Sequence, residues 1–178
     1  PGQHPTQALL DIYTIFKVKE TLDGLTVALV GDLKNGRTVH SLVDFLAMYD
    51  TKLLFTSPDS LKMPEIITQK VRERGVEIEE TNDLAYACSK ADVIYMTRVQ
   101  RERFESQAAY EAVKDEFILD EEMVKLLKKD AIILHPLPRV NEITVSVDKY
   151  PGAAYFRQVV NGVPVRMALL ALVTGSVK

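Results

Sequence analysis

Cysteine is nearly absent: Cys88 is the one instance in 178 residues. That excludes an internal disulfide framework and a cysteine-based zinc site, and it fits a reducing compartment such as the cytoplasm. Histidine is scarce too, with His4, His40 and His135 far apart and no His-x-x-x-His spacing for a metal. There is no excess of positive charge, since 22 Lys and Arg face 25 Asp and Glu for a net charge of −3. Nucleic acid and anionic membrane surfaces demand clustered cations, so neither is an expected partner. No run approaches the roughly 20 apolar residues of a membrane span. The chain opens Pro1-Gly2-Gln3, without an initiating Met or a charged-then-apolar leader, and is expected to be cut from something longer. Gly-x-Ser-x-Gly and Gly-x-Gly-x-x-Gly are both missing, which removes a nucleophile elbow and a dinucleotide fingerprint. What is present is ordinary globular material, 47% hydrophobic and 26% charged. Its length suits one domain, residues 1–178, with a core that needs no covalent staple.

Apolar spacing alternates between helical and extended. Leu9, Ile12, Tyr13 and Phe16, widened by Leu10 and Ile15, predict a helix over 5–19. Strands are predicted at 25–30, 52–56, 76–79, 92–96 and 131–134, each a short apolar or alternating run bounded by turn residues. Between them, helices are predicted at 38–49, at 64–75 with Pro64 in the first helical position, at 83–89 capped by Asn82, and at 121–129 capped by Asp120. Short strands alternating with helices define an α/β fold, a three-layer doubly wound parallel sheet of about five strands, Rossmann-like in outline. The stretch 163–173 is apolar nearly all round, broken only by Pro164 and Arg166. Such a helix expects burial on more than one side. Two readings stand: it lies deep in this domain's core, or both terminal helices pack against a second domain.

In open α/β sheets, ligands bind beyond the carboxyl ends of the strands. The loop after the first strand, Gly31-Asp32-Leu33-Lys34-Asn35-Gly36-Arg37-Thr38, comes close to a phosphate-binding P-loop but has Arg for Lys. A guanidinium is a planar fork suited to carboxylates, and no later strand ends in a Walker-type Asp, so a nucleotide-binding module is the weaker reading. After the fourth strand, Arg98, Gln100, Arg101, Glu102 and Arg103 follow in quick succession. Arg101 reads as a solvated charge, whereas Arg98 sits at the strand end. Arg37 and Arg98 together would suit a small molecule with two carboxylates. His135-Pro136-Leu137-Pro138-Arg139 forms a stiff loop whose carbonyls can accept from an amine or amide. A lone His135 is as often a satisfied core residue as a catalytic one. His4 and Gln7 stand at the start of the first helix, where developing negative charge is favoured.

Four segments, His4–Asp11, Val30–Ser41, Tyr95–Arg103 and His135–Ile143, together resemble the aspartate transcarbamoylase family, in its order and over nearly the whole chain. Ala154-Tyr155-Phe156-Arg157-Gln158 further resembles the version in the multifunctional pyrimidine-biosynthesis proteins of animals and fungi. The resemblance implies transfer of the carbamoyl group of carbamoyl phosphate to the amino group of L-aspartate, in pyrimidine biosynthesis, without metal or cofactor. It implies that His4 polarises the carbamoyl carbonyl and steadies the oxyanion. Gln7, with the backbone of Leu137 and Pro138, would hold the carbamoyl amide. Arg37 would take the α-carboxylate of aspartate, and Arg98, with Gln100 nearby, the β-carboxylate. Glu102 and Arg103 would lock a mobile loop spanning 99–114 on domain closure. The family's Ser-x-Arg-Thr-Arg phosphate loop does not occur here. The chain is therefore expected to be the aspartate-binding half alone, inactive and monomeric without the amino-terminal domain that builds the family's homotrimer. The ornithine-specific sibling carries a cysteine where this chain has Leu137, and it reads a basic amino acid, for which Arg98 is a poor host.

Overall fold

The computed structural model describes residues 3–177. Five parallel strands, β1 (Leu25–Val30), β2 (Thr51–Thr56), β3 (Glu77–Thr81), β4 (Val93–Met96) and β5 (Ile132–Leu134), form one sheet in the order β3-β2-β1-β4-β5. The chain winds outward through β1, β2 and β3, then returns to lay β4 against the other side of β1. The β1–β4 seam is thus the topological switch point, and its register pairs Val30 with Met96 at the carboxyl edge.

Strand side chains alternate between two cores, as a pleated sheet covered on both faces requires. Val27, Leu29, Leu53, Phe55, Val93 and Tyr95 face α1 (Pro5–Lys19), α2 (Arg37–Leu46) and α3 (Glu65–Arg72). Ala28, Val30, Leu54, Ile94, Met96 and Ile133 face α4 (Leu84–Lys90), α6 (Glu121–Val124) and Tyr155 of α7 (Tyr155–Val173). A short helix α5 (Gln107–Glu111) lies in the excursion after β4. Gly31 closes β1 with φ +106°, and a Cβ there would lie 2.5 Å from the Thr97 carbonyl oxygen. Only glycine lets β1 and β4 approach this closely where they end.

The alternation of elements matches the sequence reading, with shifted boundaries. Pro64 is the N-cap of α3 with ψ 132°, not its first helical residue, and the helix stops at Arg72. Asp83 rather than Asn82 caps α4, its Oδ1 accepting from the Tyr86 amide at 3.0 Å. Asp120 does cap α6, but the α-helix ends at Val124 instead of 129 and continues as turns. In α1 the buried face is Ala8, Leu10, Asp11, Ile12, Thr14 and Ile15, while Tyr13 and Phe16, expected inside, are exposed. Polar Asp11 and Thr14 displaced that stripe because they find partners in the interior.

The core reading of the last helix does not hold. Val160, Met167 and Leu170 of α7 are 71%, 64% and 67% exposed, and only Tyr155, Gln158, Asn161 and Gly162 are buried. Asn161 donates to Thr14 Oγ1 at 3.0 Å and so ties α7 to α1. By length and composition alone, the 19 residues of α7 are long and apolar enough to cross a membrane, although Arg157, Gln158, Asn161 and Arg166 break the apolar run. The helix reaches that length because it begins at Tyr155, well before the apolar stretch.

Candidate functional site at the carboxyl edge

Four segments meet along the carboxyl edge of the sheet. The loop after β1 leads into α2, whose first residue is the exposed Arg37. The loop after β4 carries Arg98, half-buried, and Gln100. Loop 135–143 leaves β5, and the amino end of α1 brings His4 and Gln7. The His4 amide donates to Ser41 Oγ at 2.8 Å, which fixes the start of α1 against α2.

Asp32 lies in the first of these loops. It is fully buried, and its Oδ1 accepts from the Asn35 amide at 2.9 Å and from Asn35 Nδ2 at 3.1 Å. Burial raises its pKa, against hydrogen bonds from Asn35 and the backbone of Gln100. Where the two strands end, the Thr97 amide and hydroxyl both donate to the Val30 carbonyl, at 2.9 and 2.8 Å, and hold the start of the β4 loop against β1. The amides of Leu33 and Lys34 donate to the Leu61 carbonyl at 3.1 and 3.0 Å. The amides of residues 33 to 35 are thus engaged within the protein and are not free to line a phosphate, as those of a P-loop would be.

Arg37, at the start of α2, and Arg98, just past β4, thus follow adjacent strands at one edge. The guanidinium of Arg98 is held by Glu102, Nη2 to Oε1 3.0 Å. Glu102 and Arg103 form a single turn of 3-10 helix with Arg101, and Glu102 is held below the usual carboxylate range by its own backbone amide and by Arg98. Leu137 is half-buried and Pro138 exposed, joined by a cis peptide bond.

The loop bearing them is pinned from inside. The Leu137 amide donates to His135 Nδ1 at 2.8 Å, so the proton sits on Nε2, which donates to Glu142 Oε1 at 2.7 Å. Glu142 Oε2 accepts the amides of Val140 and Asn141, each at 3.1 Å. Burial opposes ionisation of Glu142, but these donors outweigh it and lower its pKa. His135 is accordingly a satisfied structural histidine. Arg139 pairs with Asp148, Nη2 to Oδ2 2.8 Å, and lies against the rings of Tyr155 and Phe156.

A third buried carboxyl group sits behind Gln7. Asp11, fully buried, accepts from Gln7 Nε2 at 2.9 Å, Gln158 Nε2 at 2.6 Å and the Tyr95 hydroxyl at 2.8 Å. The other end of the Gln158 amide accepts the His135 backbone N–H at 2.9 Å. Burial pushes the Asp11 pKa up to about 7, although all three hydrogen bonds favour the anion. Asp11, Asp32, Glu142 and Gln158 received no role from the sequence. The signal available was their polarity inside otherwise apolar or motif-bearing segments. Cys88 is buried in α4 with its thiol pushed up to about 12 by burial, so it offers no thiolate.

The architecture is that of a doubly wound parallel α/β domain, and comparison with known proteins gives its family. The chain belongs to the aspartate/ornithine carbamoyltransferase family, whose Asp/Orn-binding-domain model matches residues 23–173. It is 54% identical, over 98% of its length, to the aspartate carbamoyltransferase catalytic subunit of Thermococcus kodakarensis, of which it covers 56%. It is 51% identical to the multifunctional protein CAD of Squalus acanthias, again over 98% of the chain but only 8% of that protein. Among solved structures, aspartate transcarbamoylase from Trypanosoma cruzi in complex with carbamoyl phosphate and aspartate superposes with a TM-score of 0.86 at 40% identity, covering 94% of this chain and 54% of that one. The chain therefore spans about half the length of the single-function relatives.

Proposed function

We propose that this chain is the aspartate-binding half of an aspartate transcarbamoylase, acting in the transfer of a carbamoyl group from carbamoyl phosphate to the amino group of L-aspartate. The products are N-carbamoyl-L-aspartate and phosphate, as in pyrimidine biosynthesis. The observation that supports this reading is that Arg37, at the start of α2, and Arg98 follow the carboxyl ends of the paired strands β1 and β4, with His4 tied to α2 through Ser41 and Gln7 in the first turns of α1. Two guanidinium forks suit a four-carbon dicarboxylate, Arg37 for the α-carboxylate and Arg98 with Gln100 for the β-carboxylate. Arg98 gives up Glu102 to do so, and Glu102 and Arg103 then steady the closed loop.

His4 serves as the donor to the carbamoyl oxygen, stabilising the oxyanion of the tetrahedral intermediate. Gln7 and the carbonyls of Leu137 and Pro138 hold the carbamoyl amide. The phosphate leaves without a protein nucleophile, so catalysis is positioning plus electrostatic stabilisation. The phosphate grip comes from a carbamoyl-phosphate domain, and the exposed apolar faces of α1 and α7 suit such a neighbour. We place the working enzyme in the cytoplasm as a homotrimer, with this half alone monomeric and inactive. An ornithine substrate is disfavoured because its ammonium tail would meet Arg98.

Calorimetry on the two-domain protein tests the assignment. A bisubstrate mimic joining a carbamoyl-like group to aspartate should bind, while L-ornithine and ATP should not. Binding of ornithine in preference to the mimic would overturn it.

A further inference from the structure

We propose that Asp11 is a positioning residue that sets which way round the Gln7 amide faces, and through Gln158 sets the backbone of the 135–138 loop. The inference rests on the reading above in one respect, that Gln7, Leu137 and Pro138 contact the carbamoyl amide. A glutamine amide has a donor end and an acceptor end, and rotation by half a turn exchanges them. Asp11 Oδ1 accepts from both amides, so the nitrogen ends of Gln7 and Gln158 both face it, at 2.9 and 2.6 Å. A proton on the carboxyl group would sit on Oδ2, toward the Tyr95 hydroxyl, without disturbing either. The Oε1 ends then point away from Asp11. For Gln158 that oxygen is used, accepting the His135 amide at 2.9 Å. For Gln7, half-buried at the edge, it is the acceptor turned away from the core, the polarity that an incoming –NH2 requires.

Asp11 itself is 0% exposed, and its Oδ2 is taken by the Tyr95 hydroxyl at 2.8 Å, so it acts through its neighbours and not on substrate. One buried carboxyl group thereby presets two contacts to the same small group: the Gln7 oxygen directly, and the 137–138 carbonyls by way of Gln158 and His135. Presetting removes the reorganisation that a freely rotating amide would need at each turnover.

A purely architectural role, stitching α1 to α7, would lower stability and damage both substrates alike. The variants separate these. Asp11→Asn keeps an oxygen where Oδ1 lies and turns its nitrogen toward the Tyr95 hydroxyl, which can accept. Asp11→Leu keeps the bulk and removes the acceptor.

In the two-domain enzyme, D11L should lower kcat/KM for carbamoyl phosphate about 10- to 100-fold. The KM for aspartate should stay within about twofold, because Arg37 and Arg98 lie on other segments, and D11N should recover most of the loss. In a double-mutant cycle with Gln7→Leu, D11L should cost clearly less than it does alone, since the route through Gln7 is already removed and only the route through Gln158 is left. If D11L does not fold, Asp11→Ser enters the same cycle with the same expectation, its hydroxyl being too short to reach both nitrogens.

Wild-type kinetics in D11L, losses shared equally by both substrates, no recovery in D11N, or full additivity with Q7L would each overturn the proposal. An inactive wild-type enzyme would instead remove the functional reading on which it rests, so the two failures are distinct.

Discussion

Two loops leave neighbouring strands at the same edge and are built in opposite ways. The excursion after β4 is largely exposed and charged from Arg101 to Gln107, and the Arg98 guanidinium rests on the half-exposed Glu102. The loop after β5 is held by His135, Glu142, Gln158 and the Arg139–Asp148 pair, with His135 and Glu142 buried. The first can move at little cost, because an exposed ion pair contributes about 1 kcal/mol or less. The second cannot, because each buried partner lost leaves another unsatisfied. On the proposed function the division is sensible: the reacting carbamoyl group needs a fixed cradle, while aspartate needs a way in.

The largest effect expected from disturbing this contrast is on the mobile side. Arg98→Ala in the two-domain enzyme should cost about 30- to 1,000-fold in kcat/KM for aspartate, or ~2–4 kcal/mol, with carbamoyl phosphate binding nearly intact. Steady-state kinetics would show it, and unchanged aspartate kinetics would take Arg98 out of the site. On the pinned side, Glu142→Ala leaves the His135 Nε2 proton and two backbone amides without their acceptor. A loss of about 2–4 kcal/mol in urea unfolding is expected. A loss below about 1 kcal/mol would mean the loop is no better fixed than its neighbour.

The pH dependence of stability separates the buried acids. Asp11 rises from an ordinary value near 4 to about 7 on folding, so between those values the folded state holds more protons than the unfolded chain. Stability should then fall as pH rises through that window, by at most about 1.4 kcal/mol per unit, and Asp11→Asn should flatten this limb. Glu142 and Asp148 are lowered, Glu142 by its donors over the opposing burial and Asp148 by Arg139. Their contribution is full above about pH 4.5 and is lost as pH falls through their folded values. Urea titrations from pH 3 to 8 would reveal both limbs, and a D11N profile parallel to wild type would contradict the first. Smallest of all, Glu102→Gln should free Arg98 with under about 1 kcal/mol of change in stability, read by thermal unfolding.

How much of this was legible beforehand depends on how local each feature is. The buried strand at 25–30, the turn at Gly31 and the basic loop after β4 all declare themselves within a few residues, and so do the positions of Arg37 and Arg98 just beyond strands and of His4 and Gln7 at the start of a helix. Asp11 did not. It lies four residues from Gln7 on one helix face, but its other partners, Tyr95 and Gln158, are 84 and 147 residues away. Asp32 and Glu142 escaped for a related reason: acids in loops are usually solvated, and only the packed structure shows these two enclosed. Tyr13 and Phe16 failed in the opposite sense, since an apolar stripe does not say which body it will meet.

Asp11 and Gln158 are 147 positions apart, which matters during synthesis. A ribosome-bound chain that ends before α7 holds a carboxyl group in α1 that lacks one of its amide donors, and the last helix that would bring it is still to be translated. Long-range closure of this kind is slow compared with local helix formation. The domain should therefore acquire its protease-resistant state only after α7 has emerged, and truncations that end short of residue 158 should be degraded rather than merely weakened.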